Sequence, residues 1–133
     1  MKMSVIYKWC LTGCLCYAVI LFLPAGCAPP QQPFARVRAD YYVERGMKKL
    51  EEEDLDQAIE EFQRAVELNP RLALAYKEIG MVYRIRGEFA EAARAFAEAV
   101  KVNPFDFDNS FSLAQMYHKL ARFTDAVRAY LHA

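Results

Sequence analysis

The chain is predicted to be all-α, an antiparallel solenoid of helix pairs, and three observations lead there. A 34-residue period runs through residues 39–133. Inside each period the apolar residues recur at three- and four-residue steps, the spacing of one helix face. Asn-Pro pairs and a glycine fall where those helices should stop.

The period is read by laying "AVELNP" (Ala65 to Pro70) over "AVKVNP" (Ala99 to Pro104). The same offset joins Tyr42 to Tyr76 and Gly46 to Gly80. It also joins Ala58, Ala92 and Ala126, then Phe62, Phe96 and Tyr130. Three units follow, 39–72, 73–106 and 107–133, the last ending inside its second helix, so about 2.7 repeats are expected from a truncated chain. A stack of fewer than roughly three repeats is expected to melt at low temperature with poor cooperativity.

Taken in order, the second helix of the first unit is "DLDQAIEEFQRAVEL", with Asp54 as its cap and Asn69-Pro70 as its stop. The acidic run Glu51 to Asp54 before it reads as a solvated turn and not a cation site. In the second unit "ALAYKEIGMVYRIRG" is an amphipathic helix ended by Gly87, and "EFAEAARAFAEAVKV" is its partner, ended by Asn103-Pro104. Small residues at Gly46, Gly80 and Ala114, facing Ala58, Ala92 and Ala126, let paired helices approach closely. Phe62, Phe96 and Tyr130 then fill the space between neighbouring pairs.

The first 38 residues differ in kind. Lys2 and Lys8 precede an uncharged run from Trp9 to Leu23, which as a helix would span roughly 22 Å, short of a ~30 Å hydrocarbon core. Residues 1–26 therefore read as a signal peptide, with an uncleaved tilted anchor as the alternative. All four cysteines, Cys10, Cys14, Cys16 and Cys27, lie in this part of the chain. Residues 27–38 begin with "CAPPQQP", whose prolines predict an extended, solvated tether. Loss of residues 1–26 removes Lys2 and Lys8 and leaves 15 basic against 17 acidic residues. That balance lacks the dense basic patch of a nucleic-acid binder.

"LPAGC" (Leu23 to Cys27) resembles the lipobox of bacterial lipoproteins, in which small residues precede a lipid-modified cysteine. The resemblance implies lipidation at Cys27, with Pro24 departing from the family's preference for Leu, Val or Ile. "LTGC" (Leu11 to Cys14) is a cleaner match, but the longest apolar stretch lies after it. Ala28, rather than Asp, after the cysteine implies transfer to the outer membrane, facing the periplasm. Cys10, Cys14 and Cys16 would then leave with the signal peptide, and the mature chain would hold one cysteine and no internal disulfide.

The repeats resemble the tetratricopeptide repeat. Its ordered pattern stands in the second unit as Tyr76, Ile79-Gly80, Tyr83, Ala92, Phe96, Ala99 and Pro104. The first unit keeps Gly46, Ala58, Phe62, Ala65 and Pro70 but has Arg45 before its glycine and Lys49 where Tyr is expected. The third keeps Tyr117, Ala126 and an aromatic at Tyr130, with Ser110 for the first aromatic and Ala114 for glycine. The resemblance implies that the first helix of each unit lines a partner groove. On this chain the stripe is Val43, Met47 and Leu50; Leu74, Lys77, Met81 and Arg84; then Phe111, Gln115 and His118. Its apolar and basic mixture suits an amphipathic helix or extended segment. Packing of Met47 and Met81 between helices is the alternative. The Lys and Asn of a carboxylate clamp are replaced by Val43 and Met47, which disfavours that mode.

No catalytic constellation or glycine-rich phosphate loop is present, His118 and His132 stand on different helices, and "CLTGCLC" (Cys10 to Cys16) is a poor metal site despite its spacing because it would leave with the signal peptide. The expectation is a non-enzymatic scaffold without cofactor or metal, tethered in a bacterial envelope and holding a protein or peptide. It would take no nucleic acid or small-molecule substrate, and would serve pilus, outer-membrane or cell-wall assembly. The alternative is the interaction arm of a larger enzyme whose catalytic domain lies beyond residue 133.

Overall fold

Six helices follow one another in the computed structural model, which describes residues 33–133. They are α1 (Pro33–Glu51), α2 (Leu55–Leu68), α3 (Ala73–Ile85), α4 (Phe89–Val102), α5 (Phe107–Lys119) and α6 (Phe123–His132). Turns of three and four residues alternate between them, and each helix packs against its sequence neighbours, giving three stacked pairs. Among the described residues there is no strand, and no helix is long and apolar enough to cross a membrane. The predicted signal peptide and Cys27 lie outside the described residues.

One boundary differs from the sequence reading. Helix α1 starts at Pro33, so residues 33–38, assigned to the tether, are helical. A proline's fixed φ and missing N–H suit the first helical position, and nothing from Phe34 to Arg38 breaks a helix. In the third pair helix α6 has 10 residues where α2 and α4 have 14, as expected for a unit that stops inside its second helix.

The termini follow local chemistry. Asp54 Oδ1 accepts the Gln57 N–H at 3.1 Å, and Asp106 Oδ1 accepts that of Asn109 at 3.3 Å. Asn69 and Asn103 close α2 and α4, their N–H groups donating to the Ala65 and Ala99 carbonyls at 2.9 Å. The turn inside each pair is left-handed at one residue: Glu53 (φ 60°), Gly87 (φ 77°) and Ala121 (φ 56°), spaced by the same 34 residues. The next N–H reaches back to Lys49, Tyr83 or Tyr117 at 2.9 Å each time. Only the middle turn has the glycine that this conformation favours.

Packing repeats with the period. One core cluster joins Ala58, Ile59, Phe62 and Ala65 to Ala75, Ile79 and Val82, and a second joins Ala92, Ala93 and Phe96 to Leu113, Ala114 and Met116. Phe62 and Phe96 are fully buried and lie against the two helical glycines. A Cβ at Gly46 would stand 2.5 Å from the Phe62 ring, and one at Gly80 would stand 3.0 Å from the Phe96 ring. The third pair departs from this. Ala114 occupies the glycine position, and Tyr130, predicted to be a packing aromatic, is 41% exposed and meets Phe111 edge-on at 5.6 Å. Pro70 and Pro104 are exposed stops and not packing residues, while Tyr83 and Tyr117 are half-buried beside the clusters. Ala99 and Ala126 are buried as expected.

Candidate partner-binding face

Helices α1, α3 and α5, the first of each pair, carry the predicted stripe, and α3 holds four of its ten residues. Leu74, Lys77, Met81 and Arg84 recur at three- and four-residue steps and so share one side of that helix. Leu74 is 43% exposed, while Lys77, Met81 and Arg84 are half-buried. Met81 also packs against the second core cluster, so part of its side chain is structural.

From α1 the face receives Met47, which is exposed, and part of Leu50, which rests on the first cluster. Val43 does not line an open surface. It is 5% exposed and belongs to the cluster that includes Ala75 and Ile79 of α3. Its counterparts in the period, Lys77 and Phe111, are long enough to reach past the neighbouring helix, and valine is not.

Helix α5 supplies exposed Phe111 and His118 and half-buried Gln115. Phe111 is tied into an aromatic row, stacked on Phe107 at 5.7 Å and edge-on to Tyr130. His118 meets the Phe123 ring edge-on at 5.6 Å. Lys77 Nζ and Asp108 Oδ2 stand 3.7 Å apart, bridging α3 to α5 across the face. Next to Lys77, burial holds the Glu78 carboxyl above its ordinary pKa, and the Lys77 charge partly offsets this. The result is a face of flexible apolar side chains with basic groups at Lys77 and Arg84. That chemistry can accept an apolar segment and orient it by charge.

The sequence reading missed a feature on the opposite side. Between α2 and α4 lies a cavity of about 430 Å³, floored by Ile79 and Tyr83 and rimmed by Glu91 and Arg94. Between α5 and α6 a smaller one, about 200 Å³, is floored by Leu113 and Tyr117 and rimmed by Asp125 and Arg128. Each pair of residues is 34 apart, so the period contained the signal, although the openings arise only when pairs stack. Among the described residues no group of three His, Cys, Asp or Glu is placed to hold a metal ion. The acidic run forms the α1–α2 turn, with Lys49 bonded to Glu52 at 2.8 Å and Asp54 serving as a cap. That ion pair raises the Lys49 pKa and lowers that of Glu52.

A tetratricopeptide repeat family model matches residues 43–93 and 79–133. The chain is a tetratricopeptide repeat protein. Superkiller complex protein 3 of Mus musculus is 26% identical over 89 residues, which are 67% of this chain and 6% of that protein. An uncharacterized protein of Methanocaldococcus jannaschii is 32% identical over 65 residues, 49% of this chain and 76% of that one. Among solved structures, MamA superposes with a TM-score of 0.67 at 26% identity, covering 71% of this chain and 55% of MamA. The second repeat domain of Spaghetti (RPAP3), bound to the HSP90 peptide SRMEEVD, superposes with a TM-score of 0.69 at 19% identity. It covers 77% of this chain and 93% of that domain, and the likeness is one of fold. This tetratricopeptide repeat protein thus spans only a small part of the Superkiller protein it matches.

Proposed function

We propose that this protein is a scaffold that holds a polypeptide on its first-helix face while a lipid on Cys27 tethers it in a bacterial envelope. The observation that carries the binding half is the stripe of exposed Met47 and Leu74 and half-buried Met81 beside the basic groups Lys77 and Arg84. Flexible thioethers adapt to irregular apolar ligands, and helix-in-groove recognition uses such anchors at helical spacing. The Spaghetti domain, of the same fold, holds a peptide. A buried valine, Val43, at the place where a carboxylate clamp needs a lysine favours an apolar or amphipathic guest over that mode.

The tethering half rests on the "LPAGC" sequence and the apolar run before it. Several acyl chains at ~0.8 kcal/mol per buried methylene would hold the chain at a membrane nearly permanently. An adaptor in pilus, outer-membrane or cell-wall assembly at the periplasmic side of the outer membrane fits both halves. The halves are tested separately. Labelling with a fatty-acid analogue should be lost in Cys27→Ala and kept in Cys14→Ala, and label persisting in Cys27→Ala would end the tethering claim. Envelope partners captured by the wild-type chain should be lost in Met81→Glu and Leu74→Glu, and partners that survive both changes would end the groove claim.

A further inference from the structure

The two cavities on the second-helix side are one opening repeated, with a change at the bottom. All eight residues that line the smaller cavity stand 34 after residues that line the larger one. Leu113 answers to Ile79, Tyr117 to Tyr83 and Ala129 to Ala95. Where the larger cavity has Tyr76, however, the smaller has Ser110. The larger cavity takes no residue beyond Glu98, the counterpart of His132, and none from the helix pair that follows it. By the period, the smaller cavity is likewise enclosed within residues 100–132.

Ser110 is 1% exposed, and its Oγ has no hydrogen-bond partner among the described residues. Its backbone N–H is engaged, donating to the Asp106 carbonyl at 3.3 Å, so the side-chain hydroxyl is the group left over. A buried hydroxyl without a partner is costly, and native structures rarely leave one. The walls around it are apolar: Val100 of α4, Leu113 and the Tyr117 ring of α5, and Ala129 of α6. The charged side chains stand at Asp125 and Arg128, 3.5 Å apart, with His132 beside them. A buried water makes about three hydrogen bonds, and the bottom of this cavity offers one group. Its volume, about 200 Å³, exceeds the ~150 Å³ in which an apolar protein cavity holds benzene. The space therefore suits one aromatic ring bearing one hydroxyl.

We propose that this cavity binds a small phenol, its hydroxyl bonded to Ser110 Oγ and its ring held among Val100, Leu113, Tyr117 and Ala129. The Tyr117 ring favours an aromatic guest over an alkyl one, because aromatic pairs gain from edge-on or offset contact beyond the area they bury. The ring carbon opposite the hydroxyl points to the mouth, where Arg128 and His132 admit polar or anionic substituents. The larger cavity, with Tyr76 in place of the serine and Glu98 in place of His132, does not share this chemistry. The site lies away from the first-helix face. A guest there touches α4, α5 and α6 together and so stabilises the packing of the third pair on the second.

The test is titration of the full chain, purified in detergent, with p-cresol and with toluene while the Val100 and Leu113 methyl signals are followed by NMR. p-Cresol should shift both signals saturably with a Kd below about 1 mM, and the Val66 and Ile79 methyls of the larger cavity should stay still. The ratio of the toluene Kd to the p-cresol Kd should fall about fivefold in Ser110→Ala, the worth of one net hydrogen bond. Partition into detergent cancels when that ratio is compared between the two proteins. Val100→Phe, which fills the cavity from a half-buried position, should abolish the shifts with the helical circular-dichroism signal retained. Absence of a saturable shift would mean a hydrated cavity only and would overturn the proposal. So would a ratio unchanged in Ser110→Ala, or p-cresol binding as tightly to Val100→Phe as to wild type.

Discussion

Gly46→Ala should destabilise the protein by about 2 kcal/mol, and more than Gly80→Ala does. The new Cβ would stand 2.5, 2.7 and 2.8 Å from three atoms of the Phe62 ring, which is fully buried. No carbon tolerates such contacts, so the ring or the α1–α2 spacing must shift, and overpacking of this kind costs ~1–3 kcal/mol. Alanine's better helix propensity returns about 0.5–1 kcal/mol, which is too little to reverse the sign. At Gly80 the three nearest Phe96 atoms all lie at 3.0 Å, so a shift of a few tenths of an ångström suffices. There the two effects should nearly cancel. The third pair has already made this change: Ala114 stands at the glycine position, and Tyr130 is 41% exposed where Phe62 and Phe96 are buried. Urea unfolding followed by circular dichroism measures both variants. Gly46→Ala should fall in midpoint, and adding Phe62→Leu should recover part of the loss. A neutral or stabilising Gly46→Ala, or a larger loss for Gly80→Ala, would refute the packing argument.

Other outcomes follow from single features. Ala121→Gly should stabilise by up to ~1 kcal/mol, because Ala121 is held at φ 56° in the turn where the second pair has Gly87; a lower thermal midpoint would contradict this. Replacing Arg45 and Glu61 together by the residues of the second unit, Ile and Ala, should leave stability equal or higher in urea titration. Arg45→Ala alone should cost ~1–2 kcal/mol, because the buried carboxylate keeps only Arg64. Glu78→Gln should stabilise near neutral pH. Burial raises the folded-state pKa of Glu78 above its unfolded value, so its penalty is complete above the folded value and vanishes below the unfolded one. The advantage of the glutamine variant should therefore shrink toward about pH 4, and an advantage constant with pH would show that charge is not its cause. Asp54→Ala should lose about 1 kcal/mol by removing the cap on Gln57.

The fold was legible because every device that builds it recurs at one offset. Alanine at 58, 92 and 126 and the small residue at 46, 80 and 114 are local facts, and the period makes each a check on the others. The departures from the repeat were less legible, since their outcome depends on neighbours. Arg45, which breaks the pattern, is accommodated because Glu61 stands where the second unit has Ala95, a compensation seen only once α1 and α2 are packed. Val43 was read as a groove residue from its position alone, whereas its length puts it in the core. Tyr130 occupies a packing position yet is 41% exposed, lying edge-on to Phe111. The start of α1 at Pro33 was hidden by reading proline as a breaker where it can also begin a helix. That Leu74, Lys77, Met81 and Arg84 share one side of α3 was legible because three- and four-residue spacing fixes which residues share a side, even before their depth is known.

The central claim is that the first-helix face, and not the second-helix side, holds a polypeptide partner. The direct measurement is site-specific photo-crosslinking of the full chain in its native envelope, with the probe at Leu74 on α3 or at Glu98 on α4. Discrete polypeptide adducts from Leu74, absent from Glu98, are the predicted result. Adducts from Glu98 alone, or the same adducts from both positions, would contradict the account.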